Sequence, residues 1–277
     1  MGQDIKQLRV RIKSVTSTQH LTKAMGLVAS SKIRKANEAM FKSGEYCDAV
    51  QQTIQQLSLC SECLKSPYMA QRDNKRTHLI VIAGDRGLAG GYNANIFRLM
   101  REYEAEGVSA IGKRACERYG KPVVLAETFS YSDAFNLASE LCSDFVNEKF
   151  DRLGIVYTKY HSMMYQEATV KFVLPLNKAN GEKEHSAIFE PDELTVLNKA
   201  VPEYISGVLI AAVKESVASE VSARRVAMDS ADKNAAEMLN NLSLEYNRAR
   251  QGAITQEITE IVAGSGLLLS KPFERIG

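Results

Sequence analysis

Apolar residues near the start of the chain recur at helical spacing. Ile5, Leu8, Ile12 and Val15 step by three, four and three, and Ala29, Ile33, Ala36 and Met40 resume the pattern. Toward the other end Met228, Ala231, Ala235, Met238 and Leu242 do the same, followed by Tyr246, Ala249 and Ala253. Alternating steps of three and four make the narrow seam of a coiled coil, not the wider stripe of a helix lying on a globular core. The prolines leave room for it. All six fall at Pro67, Pro122, Pro175, Pro191, Pro202 and Pro272. Residues 1–66 and 203–270 are therefore free of the lost hydrogen bond and ring clash that proline brings to a helix. The pattern predicts a coiled-coil helix over residues 1–66 and another over 201–277. At about 1.5 Å per residue, about 60 helical residues make a rod of roughly 90 Å. A chain that puts both ends into long helices is built to reach or to transmit.

Between the helical arms, over residues 67–200, the period changes. Residues 77–83 (THLIVIA) form a short apolar run rich in β-branched side chains, as a buried parallel strand should. Residues 84–93 (GDRGLAGGYN) turn the chain, and 94–104 read as helix. Further strands are expected at 108–111 and 123–126, with a short helix at 113–119 between them. Residues 133–150 read as an amphipathic helix, with Ala134, Leu137, Ala138, Leu141 and Phe145 on one face. Two longer strands, 153–160 and 168–176, are close enough to form a hairpin. Strands alternating with helices predict a mostly parallel, Rossmann-like α/β middle domain, with the last strand antiparallel. Residues 177–200, with Asn180-Gly181, read as a loop, which places Pro202 in the favourable first turn of the last helix.

Composition adds little to this picture: 45% hydrophobic and 25% charged residues are ordinary for a folded chain, and the net charge is only +2. Its distribution is more informative. Lys6, Arg9, Arg11, Lys13, Lys23, Lys32, Arg34 and Lys35 face only Asp4 and Glu38 within the first 40 residues. Such a basic helix is either a solvated face or a surface for nucleic acid, an anionic membrane or an acidic protein. No stretch is read as reaching the roughly 18 apolar residues needed to span a bilayer, and the N-terminus carries no signal-like apolar region. A cytoplasmic chain is expected, with any membrane role passing through partners.

Candidate chemistry is sparse. Cys60 and Cys63 form a C-x-x-C pair, but Cys47, Cys116, Cys142 and the four histidines are scattered, which disfavours a zinc site. The pair falls at the tail of the first helix rather than at a strand-to-helix turn, so structural thiols are expected over a redox motif. The glycine-rich loop follows a strand and opens a helix, the right context for a nucleotide phosphate. Yet Gly84, Gly87, Gly90 and Gly91 fit neither G-x-G-x-x-G nor the P-loop spacing. Glycines there equally serve positive φ or close helix packing. No catalytic set, metal cluster or cofactor site emerges.

Residues 21–36 (LTKAMGLVASSKIRKA) resemble the N-terminal helix signature of the gamma subunit of F-type ATP synthases, and residues 84–93 resemble that family's glycine-rich segment. Residues 215–234 (ESVASEVSARRVAMDSADKN) and 246–264 (YNRARQGAITQEITEIVAG) resemble its C-terminal helix, the last being its most specific motif. Departures are mild: Arg225 stands where Met is usual, Gly264-Ser265-Gly266 replaces a Gly-Ala-rich ending, and residues 267–277 run on. No long insertion of the thiol-switched chloroplast kind interrupts the middle, and a Met-Gly start without a transit peptide points to a bacterium.

The resemblance implies an antiparallel, left-handed coiled coil that enters the central cavity of a ring of alpha and beta subunits. The foot of the coil would rest on the membrane ring of c subunits, with the epsilon subunit alongside. Rotation of this non-catalytic shaft would drive the beta subunits through their catalytic states, coupling ion flow to ATP synthesis at the cytoplasmic face of the bacterial inner membrane. No nucleic acid is implied, and membrane association is indirect. Motif matching assigns Arg250, Gln251 and Thr255 to a catch on an acidic loop of beta, a task that suits a guanidinium. Met25, Lys32, Arg34 and Lys35 match the segment opposite Arg224 that faces the beta lever loops. Glu220 and Arg224 are read alternatively as an exposed helix pair. Ile254, Ile258, Ile261, Leu267, Leu268 and Leu269 would form the shaft tip in an apolar collar. The rival reading is a coiled-coil scaffold or adaptor carrying an α/β ligand-sensing domain.

Overall fold

A computed structural model describes residues 2–72, 76–179 and 189–269, with the side chains of residues 2–3 and 265–269 outside that description. The expected Asn180-Gly181 loop and the tail beyond residue 269 lie outside the described residues. The chain divides into two compact units, residues 26–227 and residues 1–25 with 228–277. Helix α1 (Gly2–Ser58) and helix α5 (Glu193–Leu269) each contribute to both.

In the larger unit, β1 (Thr77–Ile82) lies between β2 (Gly107–Ile111) and β3 (Arg152–Tyr160), parallel to both, and β4 (Gln166–Leu174) adds antiparallel to β3. Side chains on a strand alternate between faces, so the sheet splits its apolar residues into two cores. Ile80, Ile82, Leu153 and Ile155 join one core with α1, α5 and α4 (Tyr131–Val146). Leu79, Val81 and Val156 join the other with α2 (Tyr92–Leu99) and α3 (Lys113–Tyr119). Helix α4 starts on a capping box, in which Ser130 Oγ accepts from Asp133 N–H while the Asp133 carboxylate accepts from Ser130 N–H.

Within this unit the two long helices run antiparallel, the order being set by paired contacts. A Cβ at Gly207 would come within 3.1 Å of the Tyr46 ring, whereas Ile33 and Asn37, earlier in α1, line a groove with Arg225, later in α5. The Tyr131 hydroxyl, at the start of α4, donates to Glu203, accepts from Ser206 Oγ at 3.3 Å and sits 3.4 Å from the Tyr46 hydroxyl. One phenol thus touches both long helices.

In the smaller unit, Ile5, Leu8, Ile12 and Val15 are among the half-buried positions of α1, while Val10 and Leu21 are exposed. On α5, Met228, Ala235 and Leu242 are buried. Met238, expected in the seam, is 44% exposed and Leu239 faces inward instead. The heptad phase runs 228, 232, 235, 239, 242, so Asp232 shares the seam and its Oδ1 is buried without a hydrogen-bond partner. Arg9 Nη2 donates to the Tyr246 hydroxyl at 2.9 Å and its guanidinium lies over the same ring.

Three expectations need correction. Residues 123–126 form no strand, because their polar groups are engaged elsewhere: Val124 O accepts from Gly112 N–H at 2.8 Å, its N–H reaches Cys116 Sγ, and Ala126 N–H donates to Asp85. The last helix begins at Glu193, capped by Asp192, whose Oδ1 accepts from Thr195 N–H at 2.8 Å, so Pro202 stands in the helix interior and not its first turn. An 18-residue window of α5 reaches a mean hydropathy of 1.3, enough by length and composition to cross a membrane, and 61% of it is buried inside the protein. Its apolar residues, such as Ile205, Leu209 and Val213, belong to the core. All five cysteines are free thiols, and Cys63 lies in a short 3-10 turn beyond α1 and is fully buried.

Candidate functional site

The glycine-rich loop ties three elements to α5. Gly84 lies two residues past the end of β1, and a Cβ there would fall 2.8 Å from Glu220 Cδ. Glycine is needed because the Glu220 carboxyl occupies that space. Gly90 adopts φ +58°, the left-handed region that glycine enters without strain. The loop's donors point into the protein: Gly84 N–H reaches Asn93 Oδ1 at 2.9 Å and Arg86 N–H reaches Glu220 Oε1 at 3.4 Å. Arg224 closes the clamp, donating from Nε and Nη2 to Gly87 O at 3.3 Å and pairing with Glu220. The Arg224 and Glu220 side chains are only 12% and 7% exposed, so this is a buried pair and not the exposed helix pair of the alternative reading.

Glu127 extends the cluster to α1. Lys32 Nζ lies 2.5 Å from its Oε1 and Arg86 Nη2 lies 3.6 Å from its Oε2. The Lys32 ammonium, with Arg86 and Arg224 behind it, holds the Glu127 carboxyl below its ordinary range. Asp85 fixes the segment that carries Glu127, accepting from Lys113, Ala126 and Glu127 N–H at 3.1, 3.0 and 2.9 Å. Lys32 and Arg224 are thus linked indirectly: Lys32 pairs with Glu127, Glu127 with Arg86 of the loop, and Arg224 with the loop's Gly87 O. Arg34 stays largely exposed, paired with Glu38 at 3.0 Å, Lys35 is exposed, and Met25 is half-buried in the smaller unit. Sequence reasoning missed Asp85 and Glu127. Their only signal is an acid three residues past a strand and an acid three residues past a pair of valines.

In the smaller unit Arg250 and Gln251 are exposed side by side. Thr255 Oγ1 donates to Gln251 O at 2.9 Å within its own helix. Arg9, and more weakly Arg250, lower the pKa of Tyr246 by favouring its anionic form. Ile254, Ile258 and Ile261, spaced four and three apart, are 44%, 56% and 71% exposed. The side chains of Leu267, Leu268 and Leu269 lie outside the described residues. The exposed face thus offers a guanidinium and an amide beside an apolar stripe, groups that bind a surface and carry out no bond-making chemistry.

Long terminal helices that pair, with a mixed four-stranded α/β unit between them in sequence, define a coiled-coil protein with an inserted α/β unit. A family model described as ATP synthase matches residues 4–268. The chain is similar to the ATP synthase gamma chain of Alkaliphilus metalliredigens, at 37% identity over 97% of this chain and 100% of the relative. It is also similar to that of Ruminococcus albus, at 41% identity over 95% and 98%. The fold is shared with a chain of the Euglena gracilis mitochondrial ATP synthase, with TM-score 0.68, 18% identity and coverage of 100% and 99%. The chain belongs to the ATP synthase gamma chain family.

Proposed function

We infer that this chain is the central rotor shaft of an F-type ATP synthase. It couples ion-driven rotation of the c-ring to the conformational cycling of catalytic beta subunits and has no catalytic role of its own. The observation that carries this reading is the family match over residues 4–268, which spans both long helices and the sheet. Its partners are the ring of alpha and beta subunits, the epsilon subunit and the c-ring, and its association with the membrane is peripheral. The bacterial relatives support placing it at the cytoplasmic face of the inner membrane.

Functionally the chain is proposed to divide into an N-terminal coiled-coil segment within 1–66, a middle domain 67–200 and a C-terminal coiled-coil segment within 201–277. Arg250, Gln251 and Thr255 are proposed as the catch on beta; the exposure of the first two supports this, since a catch must be reachable. Met25, Lys32, Arg34, Lys35 and Arg224 are proposed as the region facing the beta levers. Within it Arg224 acts by holding the glycine-rich loop and Lys32 by holding Glu127 beside it, while Arg34 and Lys35 present charge outward. Ile254, Ile258 and Ile261, with Leu267, Leu268 and Leu269, are proposed as the shaft tip. Exposed apolar groups without directed bonds suit a bearing that must slip as it turns.

The test is purification of the chain, tagged at its N-terminus, from detergent-solubilised membranes. One copy per alpha–beta ring, with ATP hydrolysis that stops when this chain is cross-linked to beta, is the expected result. Recovery free of alpha and beta would sink the reading.

A further inference from the structure

A cavity of about 160 Å³ opens in the larger unit where α1 and α5 lie over β3 and β4. Its floor is apolar: Ile155, Val208 and Ala212 are buried core residues. Its wall is charged, carrying Asp48 from α1, Lys171 from β4 and Glu215 from α5. The volume is that of about five water molecules in the liquid, which suits a small molecule and not a chain segment. Small-molecule sites combine an apolar lining with a few convergent polar groups in this way.

Gly44, in the interior of α1, borders the cavity. Nothing lies within 4 Å of where its Cβ would stand. Glycine weakens a helix interior relative to alanine. No close packing requires it here, so its effect is to leave the cleft open.

The three charges face one space without neutralising one another. Lys171 Nζ donates to Gln51 Oε1 at 3.2 Å and forms no ion pair among the described residues. Glu215 Oε1 accepts from Tyr160 N–H at 2.9 Å, and neither Glu215 nor Asp48 has an ion-pair partner among the described residues. Burial raises the Glu215 pKa even though Lys159, His161, Lys171 and the Tyr160 N–H act the other way. The carboxylate therefore lacks a close counter-charge, and a cation beside it would replace lost solvation. An ammonium on one part of the ligand answers Asp48 and Glu215, and a carboxylate on another answers Lys171. A hydrocarbon body between them covers Ile155 and Val208.

We propose that this cleft binds a free aliphatic amino acid, its ammonium held by Glu215 and Asp48 and its carboxylate by Lys171. This goes beyond the rotor reading, in which no small molecule is bound by the chain.

The test uses saturation-transfer NMR on the full chain purified from membranes, with valine as the probe. Isobutylamine and isovalerate, which keep the valine skeleton and one charge each, are the comparison. Valine should bind about tenfold more tightly than either, because each loses a hydrogen bond between charged groups. Lys171→Met should weaken valine by a similar factor and leave isobutylamine unchanged. Glu215→Gln, which keeps an acceptor for Tyr160, should weaken valine and leave isovalerate unchanged. Asp48→Asn, at an exposed position, serves if Glu215→Gln lowers the amount of folded chain. Gly44→Leu fills the opening with a good helix former and should abolish the signal, which separates this cleft from sites on any copurifying subunit. No valine signal up to about 10 mM, equal binding of the three probes, or a signal indifferent to Lys171→Met and Gly44→Leu would overturn the proposal. The proteins recovered with the chain, read on the same preparation, test the rotor reading separately.

Discussion

Tyr160 donates its backbone N–H to Oε1 of Glu215 at 2.9 Å, so a side chain of α5 completes the hydrogen bonding of a strand. β3 pairs with β1 only as far as Val156. Beyond that point α5 substitutes for the missing neighbour: Thr158 N–H donates to Ser216 Oγ at 3.2 Å, and Ser219 Oγ donates to Thr158 O at 3.3 Å. Backbone groups that would otherwise be buried unpaired bind the sheet to the helix.

Glu215 makes that junction sensitive to pH. Burial raises its pKa above the ordinary value of 4.5, against the lowering effects of Tyr160 N–H, Lys159, His161 and Lys171. For a carboxyl raised on folding, stability is fully present below about 4.5 and declines as pH rises through the folded value. Glu215→Gln keeps an acceptor for Tyr160 and removes the buried charge. Thermal melts from pH 4 to 8 should show the variant gaining on the parent as pH rises above about 4.5. A constant offset across that range would rule out the charge as the cause.

Gly84→Ala should destabilise the loop clamp, because its Cβ would press the Glu220 carboxyl away from Arg224. Overpacking of this kind costs about 1–3 kcal/mol. In a Glu220→Ala background most of that cost should vanish, as neighbours that share one contact are non-additive. Urea denaturation of the four chains measures it, and full additivity would refute the close-approach account.

Much of this architecture was legible because spacing alone decides what a helix pair buries: the steps of three and four from Ile5 to Val15 become half-buried positions. The strands at 77–82 and 152–160 were equally readable from their β-branched runs. Val123 and Val124 carry the same local signal, yet Gly112, Cys116 and Asp85 take the hydrogen bonds around them, a tertiary effect that no window of sequence contains. The burial of Glu220 and Arg224 was hidden for a similar reason, since an i, i+4 pair looks alike on an exposed and a covered face. Arg250 and Gln251 were legible only through family resemblance, because exposed polar residues of a helix carry no pattern of their own.

Gly44 sits inside α1 with nothing within 4 Å of where a Cβ would lie. Glycine in a helix interior costs about 0.5–1 kcal/mol relative to alanine. Gly44→Ala should therefore stabilise the chain by about that amount, read as a higher denaturation midpoint with an unchanged slope. A loss of stability would mean that the added methyl meets something in the assembled protein.

Arg250→Ala combined with Gln251→Ala should leave the complex assembled but change ATP turnover or coupling. Removing a hydrogen bond to a charged group costs about 1.5–3 kcal/mol, less where water replaces it. Lys233→Ala is the control: its exposed pair with Asp229 at 3.0 Å is worth little. Equal, near-neutral effects of both on turnover and coupling would remove the catch while leaving the shaft.

A repeating seam has no inherent phase. Sliding one long helix along the other by seven residues, about 10.5 Å, would match apolar positions to apolar positions again. What forbids the slip in the larger unit is the notch at Gly207, which admits the Tyr46 ring where any larger residue would meet it at 3.1 Å or closer. The Tyr131 hydroxyl then acts as a locking pin across Tyr46, Glu203 and Ser206. Such a key in its keyway fixes an axle to its hub, so that the two helices keep one alignment under load although their apolar surfaces alone would tolerate several.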